Sequence, residues 1–232
     1  YEQIEISHKQ LNIAQREQSI RDTGLRVWSI HGAVGYTAAS LSESERQKAV
    51  EAEFAVMEDT ACFAPCPYVV HYVDRFNDPA YGTAFRLSVE QLHEKAIELG
   101  LILAVETAPY KPLENERYPD SAEIANFVRS FNSPNLQATI DINHSNIHDD
   151  LEKVCVDFRG IIANIHASNN HGEWEDHLEP WNGVIDFPQT MRSLIANGYK
   201  GPCNLELHPA SPPGLDYLRE LRIRTEEMLQ GI

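Results

Sequence analysis

Short β-rich runs alternate with longer stretches of helical period along the whole chain, and no other feature restricts its fold so much. "YEQIEIS" leads into a helical stretch ending near Gly24 and then "LRVWSIHG". From Ser42, Val50, Phe54, Met57 and Ala61 fall on one helical face, and Ser42 with Glu45 has the spacing of a capping box. "PYVVHY" precedes a helix read as starting at a Ser88–Gln91 capping box, with Val89, Leu92, Ala96 and Leu99 as its stripe and Gly100 at its stop. "LILAVET" is followed by a helix opened by Asp120 and Glu123. After it come "LQATIDIN" and a short helix whose start takes in His148, Asp149 and Asp150. "IIANIHAS", a helix capped by Asp186 and closed by Gly198, "PCNLELH" and a last helix from about Gly214 complete the series.

Repeated strand–helix units require right-handed crossovers and a parallel sheet buried on both faces. The expected fold is an α/β TIM (β/α)8 barrel, a single domain over residues 1–232, since no composition break marks a boundary. Seven units are visible, one fewer than a closed barrel of this kind uses. The first strand is therefore expected to be lacking or truncated, lying upstream of Tyr1 or replaced. An open doubly wound sheet is the competing architecture, but no GxGxxG turn follows the first strands.

Charge narrows the partners. Nineteen Lys and Arg face 35 Asp and Glu, a formal charge of −16, which repels polyphosphate backbones and anionic membranes. No apolar run is long enough for a membrane span, and the start lacks the basic-then-apolar plan of a signal peptide. A cytoplasmic protein with no nucleic-acid and no membrane partner is expected. Cys62, Cys66, Cys155 and Cys203 show no metal-knuckle spacing and read as reduced core residues.

Four strands end on a side chain of metal-binding type: Glu106, Asp141, His166 and Glu206. In a parallel barrel all these ends open on one face, where the active sites of such folds lie. Any one alone is ordinarily a helix cap, a solvated charge or a satisfied core histidine; four at equivalent positions point to a shared site. Three converging carboxylates repel one another unless a cation joins them, and a mixed oxygen and nitrogen set suits one divalent metal ion: Mn²⁺, Mg²⁺, Co²⁺ or Zn²⁺. Strand alternation puts Ala104, Thr139, Asn164 and Asn204 in the layer below, with the two asparagines expected to orient the ligands.

Further polar groups surround this mouth. His144 follows Asp141 by three residues and comes back over it; His31 and His71 end their own strands. The loop "HGEWEDHLEPWNG" brings Glu175 and His177, with Trp174 and Trp181 to floor or cover a ligand, against the blander reading of an acidic surface loop. Lys111 is a candidate for an anionic substrate group, although a solvated lysine is the commoner role. His31, His71, His144, Trp174, Glu175, His177 and Lys111 make up the candidate substrate-binding set.

The motifs "AVET", "IDINH", "NIHASN", "EDHLEPWNGVIDF" and "NLELH" resemble the xylose-isomerase-like barrel superfamily, which holds sugar isomerases and epimerases together with endonucleases of the endonuclease IV type. The likeness runs from about Leu101 to Glu206; before that only the strand–helix rhythm, His31 and His71 match. It implies that Glu106, Asp141, His166 and Glu206 hold one divalent metal, that Glu106 and Glu206 are also the catalytic acid/base pair, and that His144 touches substrate. The implied activity is metal-dependent isomerisation or epimerisation of a sugar or sugar phosphate through an enediolate. The implied partner is a small sugar, and such barrels often form homo-oligomers. Two alternatives stand beside it. One is a metal-dependent phosphodiester hydrolase, for which the set extends to His31, His71, His144, Glu175 and His177; the other is a non-catalytic sugar- or metal-binding barrel. The chain departs from the ketose epimerase pattern at Gly172, where an Arg is common, at Pro112, where a second Glu is common, and at Pro180-Trp181-Asn182-Gly183, where relatives tend to have Pro-Gly-Glu-Gly.

Overall fold

In the computed structural model, residues 1–7, 13–74, 77–108, 117–209 and 212–232 are described. Six strands, β1 (Gln3–Ser7), β2 (Arg26–His31), β3 (Pro67–His71), β4 (Ile102–Glu106), β5 (Leu136–Asp141) and β6 (Ile162–His166), pair side by side in chain order. Every pair is parallel. The helices are α1 (Ile13–Asp22), α2 (Glu43–Thr60), α3 (Pro79–Leu99), α4 (Ser121–Arg129), α5 (Ile142–His148), α6 (Leu151–Asp157), α7 (Phe187–Ala196) and α8 (Leu215–Met228). The sheet curls on itself, because Glu5 of β1 reaches His166 of β6 at 3.0 Å. This is a TIM-type α/β barrel.

Its seventh segment differs from the expectation. "PCNLELH" makes a single parallel bridge, Leu205 to Ala167, with Ala167 N–H donating to Asn204 O and Glu206 N–H to Ala167 O. Pro202 has no N–H to offer a ladder, and the strand pairings of the described residues end at β1 on the other side. A groove of about 480 Å³ separates Tyr1, Glu2 and Gln3 from Pro202, Cys203 and Leu205, with Arg222 and Leu229 at its wall. This seam is where a further strand would run, in keeping with a lacking first strand. Across it, the Asn204 amide donates to Glu5 Oε2 at 3.2 Å.

Aspartates start the helices as read: Asp120, Asp150 and Asp186 accept from Glu123, Lys153 and Gln189 N–H at the first turns of α4, α6 and α7. Three local expectations fail. Helix α3 begins at Asp78 and Pro79, not at Ser88, whose hydroxyl lies inside the helix and donates to Ala38 O at 2.7 Å. Ser42 does precede α2 but makes no side-chain cap bond; Glu45 is instead bound by Ser40 Oγ. Only Asp150 caps α6, since His148 ends α5 and Asp149 accepts from Ser121 N–H. Gly100 closes α3 at φ 71°, a conformation that favours glycine.

Apolar side chains from both sheet and helices form a continuous core running from Ile6 to Tyr199. Tyr68, Phe85, Leu92, Leu103, Ile124 and Phe158 are among its fully buried members. Cys66 and Cys155 are buried, Cys62 and Cys203 half-buried, and all four are unpaired thiols. Among the described residues no helix is long and apolar enough to cross a membrane.

Candidate active site

Strand register sets the site. His71 lies level with Glu106, and Asp141 with His166, so neighbouring strands deliver their polar ends at matching heights. Glu106, Asp141 and His166 are fully buried and Glu206 partly so. One ligand atom from each lies within 4.8 Å of the others. His166 Nδ1 is 2.8 Å from Glu106 Oε1 and 3.0 Å from Glu206 Oε2. The four strand-end residues singled out in the sequence therefore do converge.

Strand β5 stops at Asp141, two residues short of the expected run. The Asp141 Oδ1 accepts the N–H of His144, making Asp141 the cap of α5 and leaving Oδ2 for the mouth. That turn folds His144 back as expected. Its Nδ1–H donates to Thr107 O at 3.0 Å, which aims Nε2 at Asp141 Oδ2 and Glu175 Oε2, each 3.4 Å away. His31 repeats the device: Nδ1–H donates to Gly32 O, and Nε2 faces Glu106 Oε2 at 3.4 Å. His71 Nε2 approaches the same oxygen at 3.3 Å. His177 donates from Nδ1 to Glu206 O at 3.2 Å and turns Nε2 towards Glu175, 3.7 Å distant.

The loop carrying Glu175 and His177 is held by asparagines in "HASNN". Asn169 Oδ1 accepts from Asn170 and Ile185 N–H, while its amide donates to Pro180 O and Ile185 O. Gly183 packs so tightly on Asn169 that a Cβ there would collide with the amide and with Asn170 O. Trp174, on the same loop, is 60% exposed. Trp181 stacks under the Arg224 guanidinium at 3.7 Å instead of facing the mouth's ligands. Lys111 and Pro112 lie outside the described residues.

Two carboxylates were not foreseen. Glu5, projecting inward from β1, accepts at Oε2 from Ser29 Oγ (2.5 Å), His166 Nε2 (3.0 Å), Asn204 Nδ2 (3.2 Å) and Asn164 Nδ2 (3.4 Å). Asn164 and Asn204 thus bind Glu5 and do not orient the metal-type ligands directly, as was expected; Asn164 also takes the Trp28 indole N–H at 2.8 Å. Glu53, in the middle of α2, is buried and accepts from Tyr68 OH at 2.6 Å and Ala33 N–H at 3.0 Å. It clasps the turn after His31. Both had a readable signal: Glu5 alternates with the apolar Ile4 and Ile6, and Glu53 stands three after Val50 and four before Met57, on the apolar stripe.

The site is electrostatically loaded. Burial raises the Glu106 carboxyl, but the His166 and His71 imidazoles outweigh it and hold the group well below its usual range. Burial and then His166 act in the same opposed way on Glu206, which ends at about 2. Asp141 is pushed up to about 6, chiefly by burial, against the pull of His144. Burial lowers His144, yet Asp141 and Glu175 raise it to about 10; His31 reaches about 9 through Glu106. The raised imidazoles of His31, His144 and His166 therefore counter these carboxylates, whereas burial lowers His71.

Whether the donor set suits a cation can be tested on its orphaned atoms. Glu106 Oε2, Asp141 Oδ2 and Glu206 Oε2 are buried and complete no well-aligned hydrogen bond, although imidazole nitrogens stand 3.0–3.4 Å from them. Leaving buried acceptors unsatisfied costs about 1–3 kcal/mol each, more for charged ones. Three orphaned oxygens and one imidazole nitrogen gathered in one place fit a hard or borderline divalent ion.

A parallel barrel whose carboxyl-end mouth gathers two glutamates, an aspartate and a histidine is the class of protein that fold and site define. The chain belongs to the xylose isomerase-like TIM barrel family, whose model matches residues 3–226. A curated relative, fructoselysine 3-epimerase of Escherichia coli O157:H7, is 24% identical over 144 residues, covering 62% of this chain and 50% of the relative. The chain spans about half the length of the curated relatives it matches. Among solved structures, a D-tagatose 3-epimerase-like protein superposes with a TM-score of 0.82 at 19% identity, covering 99% of this chain and 89% of that one. The IOLI protein with a bound zinc atom gives 0.79 at 15% identity, covering 99% and 88%. At these identities the structural likeness establishes the fold.

Proposed function

We propose that the chain is a metal-dependent isomerase or epimerase of a sugar or sugar derivative. The observation that carries this is the convergence of Glu106, Asp141, His166 and Glu206 within 4.8 Å, with three orphaned carboxylate oxygens. The fructoselysine 3-epimerase and D-tagatose 3-epimerase-like relatives support it. Glu106, Asp141, Glu206 and Nδ1 of His166 would hold the ion. Once bound, a divalent cation supplies Lewis acidity, polarising a carbonyl and its neighbouring hydroxyl so that the adjacent C–H becomes acidic.

The remaining work falls to the side chains. Glu106 and Glu206 come from β4 and from the seventh segment, with β5 and β6 between them, and so reach the mouth from different directions. One takes the proton from the carbon beside the carbonyl and the other gives a proton back. His144 and His177, each with Nδ1–H tied to a backbone carbonyl, point Nε2 at the space above Asp141 and suit substrate hydroxyls. The asparagine-held loop brings Glu175 to the same rim. Exchange of substrate C–H for deuterium settles the reading: Mn²⁺-loaded protein incubated with a ketose panel in D₂O should incorporate one deuterium beside the carbonyl, and no exchange with any ketose overturns it.

One observation favours a second reading. His31, Glu106 and His166 form a further cluster with metal-ligand spacing, as do Asp141, His144 and His177. Several ions side by side would suit phosphodiester cleavage, although the −16 charge opposes a nucleic-acid substrate. Zinc-loaded protein that nicks abasic duplex DNA would establish it.

A further inference from the structure

His166 is oriented differently from three of its neighbours. His31, His144 and His177 each spend Nδ1–H on a backbone carbonyl and offer Nε2 to the mouth. His166 offers Nδ1 to the mouth, between Glu106 and Glu206, and its Nε2 points down the barrel at Glu5 Oε2. A carboxylate can only accept, so the proton of that 3.0 Å bond belongs to His166 Nε2; without an ion Nδ1 is protonated as well, against Glu106 Oε1 at 2.8 Å, and it is this second proton that a cation would displace.

We propose that Glu5 is the positioning residue of the metal centre: by taking the Nε2 proton of His166, it commits Nδ1 as the nitrogen that faces the ion. The proposal rests on the reading that Glu106, Asp141, His166 and Glu206 hold a divalent cation. A carboxylate behind a ligating imidazole fixes its tautomer and ring angle and makes the ligand more basic. Glu5 is itself locked, because Ser29, Asn164 and Asn204, from β2, β6 and the seventh segment, donate to the same oxygen. Four donors around one oxygen leave the carboxylate no other rotamer with equal partners. The carboxylate therefore joins β1, β2, β6 and the seventh segment, with His166 among its donors. Of the four metal-type residues Glu5 is hydrogen-bonded to His166 alone, and it acts through that ring.

The test separates this role from the metal reading beneath it. Protein stripped with EDTA is titrated with Co²⁺ and followed by visible absorption, for the unaltered chain and for Glu5→Gln. Binding by the unaltered chain with about 10- to 100-fold weaker binding by the variant is the expected result. Far-UV circular dichroism confirms that the variant is folded. Equal affinities overturn the role of Glu5 while leaving the metal reading intact; no Co²⁺ binding by the unaltered chain overturns both. A second measurement needs no variant at this position: long-range ¹H–¹⁵N spectra of the Zn²⁺-loaded chain, with the His166 signals assigned by their loss in His166→Asn. A proton on Nε2 with Nδ1 metal-bound is expected, and a proton on Nδ1 overturns the proposal.

Discussion

Gly32 and Glu53 stand so close that a Cβ on the glycine would collide with the Glu53 carboxylate, and would also lie 2.8 Å from the Tyr68 ring and 2.9 Å from Val69 O. The pair ties α2 to the end of β2 one residue beyond His31. Overpacking a tight core site costs about 1–3 kcal/mol. Gly32→Ala should therefore lower stability by that amount in urea unfolding. Because His31 shares the turn, kcat should fall as well, whereas Gly35→Ala, with open space at its Cβ, should leave both nearly unchanged.

In the proposed function Glu106 and Glu206 transfer protons as well as hold the metal. Replacing either with Gln keeps the shape and removes the base. Turnover should fall by about 10²–10⁴. His144→Ala, by contrast, leaves the four ligands in place, so it should raise KM more than it lowers kcat. Steady-state kinetics on whichever ketose shows deuterium exchange distinguishes the two patterns; a Glu206→Gln enzyme of undiminished kcat removes that residue from the chemistry.

Stripping the metal should change how stability depends on pH. His31 and His144 are raised from 6.5 to about 9 and about 10 by the carboxylates they face. A raised folded-state pKa contributes stability that is whole below 6.5 and lost as pH climbs through the folded value. The EDTA-treated protein should thus lose melting temperature between pH 6.5 and 10. A bound cation makes these protons unnecessary, and its binding strengthens as pH rises. The gap in melting temperature between Mn²⁺-loaded and stripped protein should widen over that range, and scanning calorimetry at fixed ionic strength measures it.

Asn169 holds the loop of Glu175 and His177 through both ends of its amide. Asn169→Ala leaves the N–H groups of Asn170 and Ile185 without their acceptor, costing about 1–3 kcal/mol for buried donors. Amide hydrogen exchange should quicken across residues 170–185 while the central strands stay protected. Uniform exchange in the two proteins would show that the loop is held by something else.

The metal-type residues were legible because period-two alternation and a parallel sheet leave little freedom: a polar residue ending an apolar strand has one mouth to point into. Glu106, Asp141, His166 and Glu206 followed from that. Glu5 did not, because its value depends on curling, which brings β1 against β6 and is not a local property of "YEQIEIS". Glu53 is hidden because a mid-helix glutamate ordinarily faces solvent, and the close glycine, Tyr68 OH and Ala33 N–H are what make its burial tolerable. Helix α5 was hidden for another reason: Asp141 serves as strand end and helix cap together, so the strand-like "IN" after it already belongs to the next element. At α3, the Ser88–Gln91 pattern imitated a start inside a longer helix opened by Asp78 and Pro79.

The seam between β1 and residues 202–206 has a mechanical meaning. From β1 to β6, widening would have to stretch ladder after ladder of main-chain bonds; between β1 and residues 202–206 the described residues meet through side chains, the Asn204–Glu5 contact among them. Glu206 rides on the segment that makes a single bridge and Glu106 on a strand laddered on both sides. In the proposed function the two acid/base groups are therefore held unequally, Glu106 by main-chain ladders on both sides and Glu206 by one bridge and side-chain contacts.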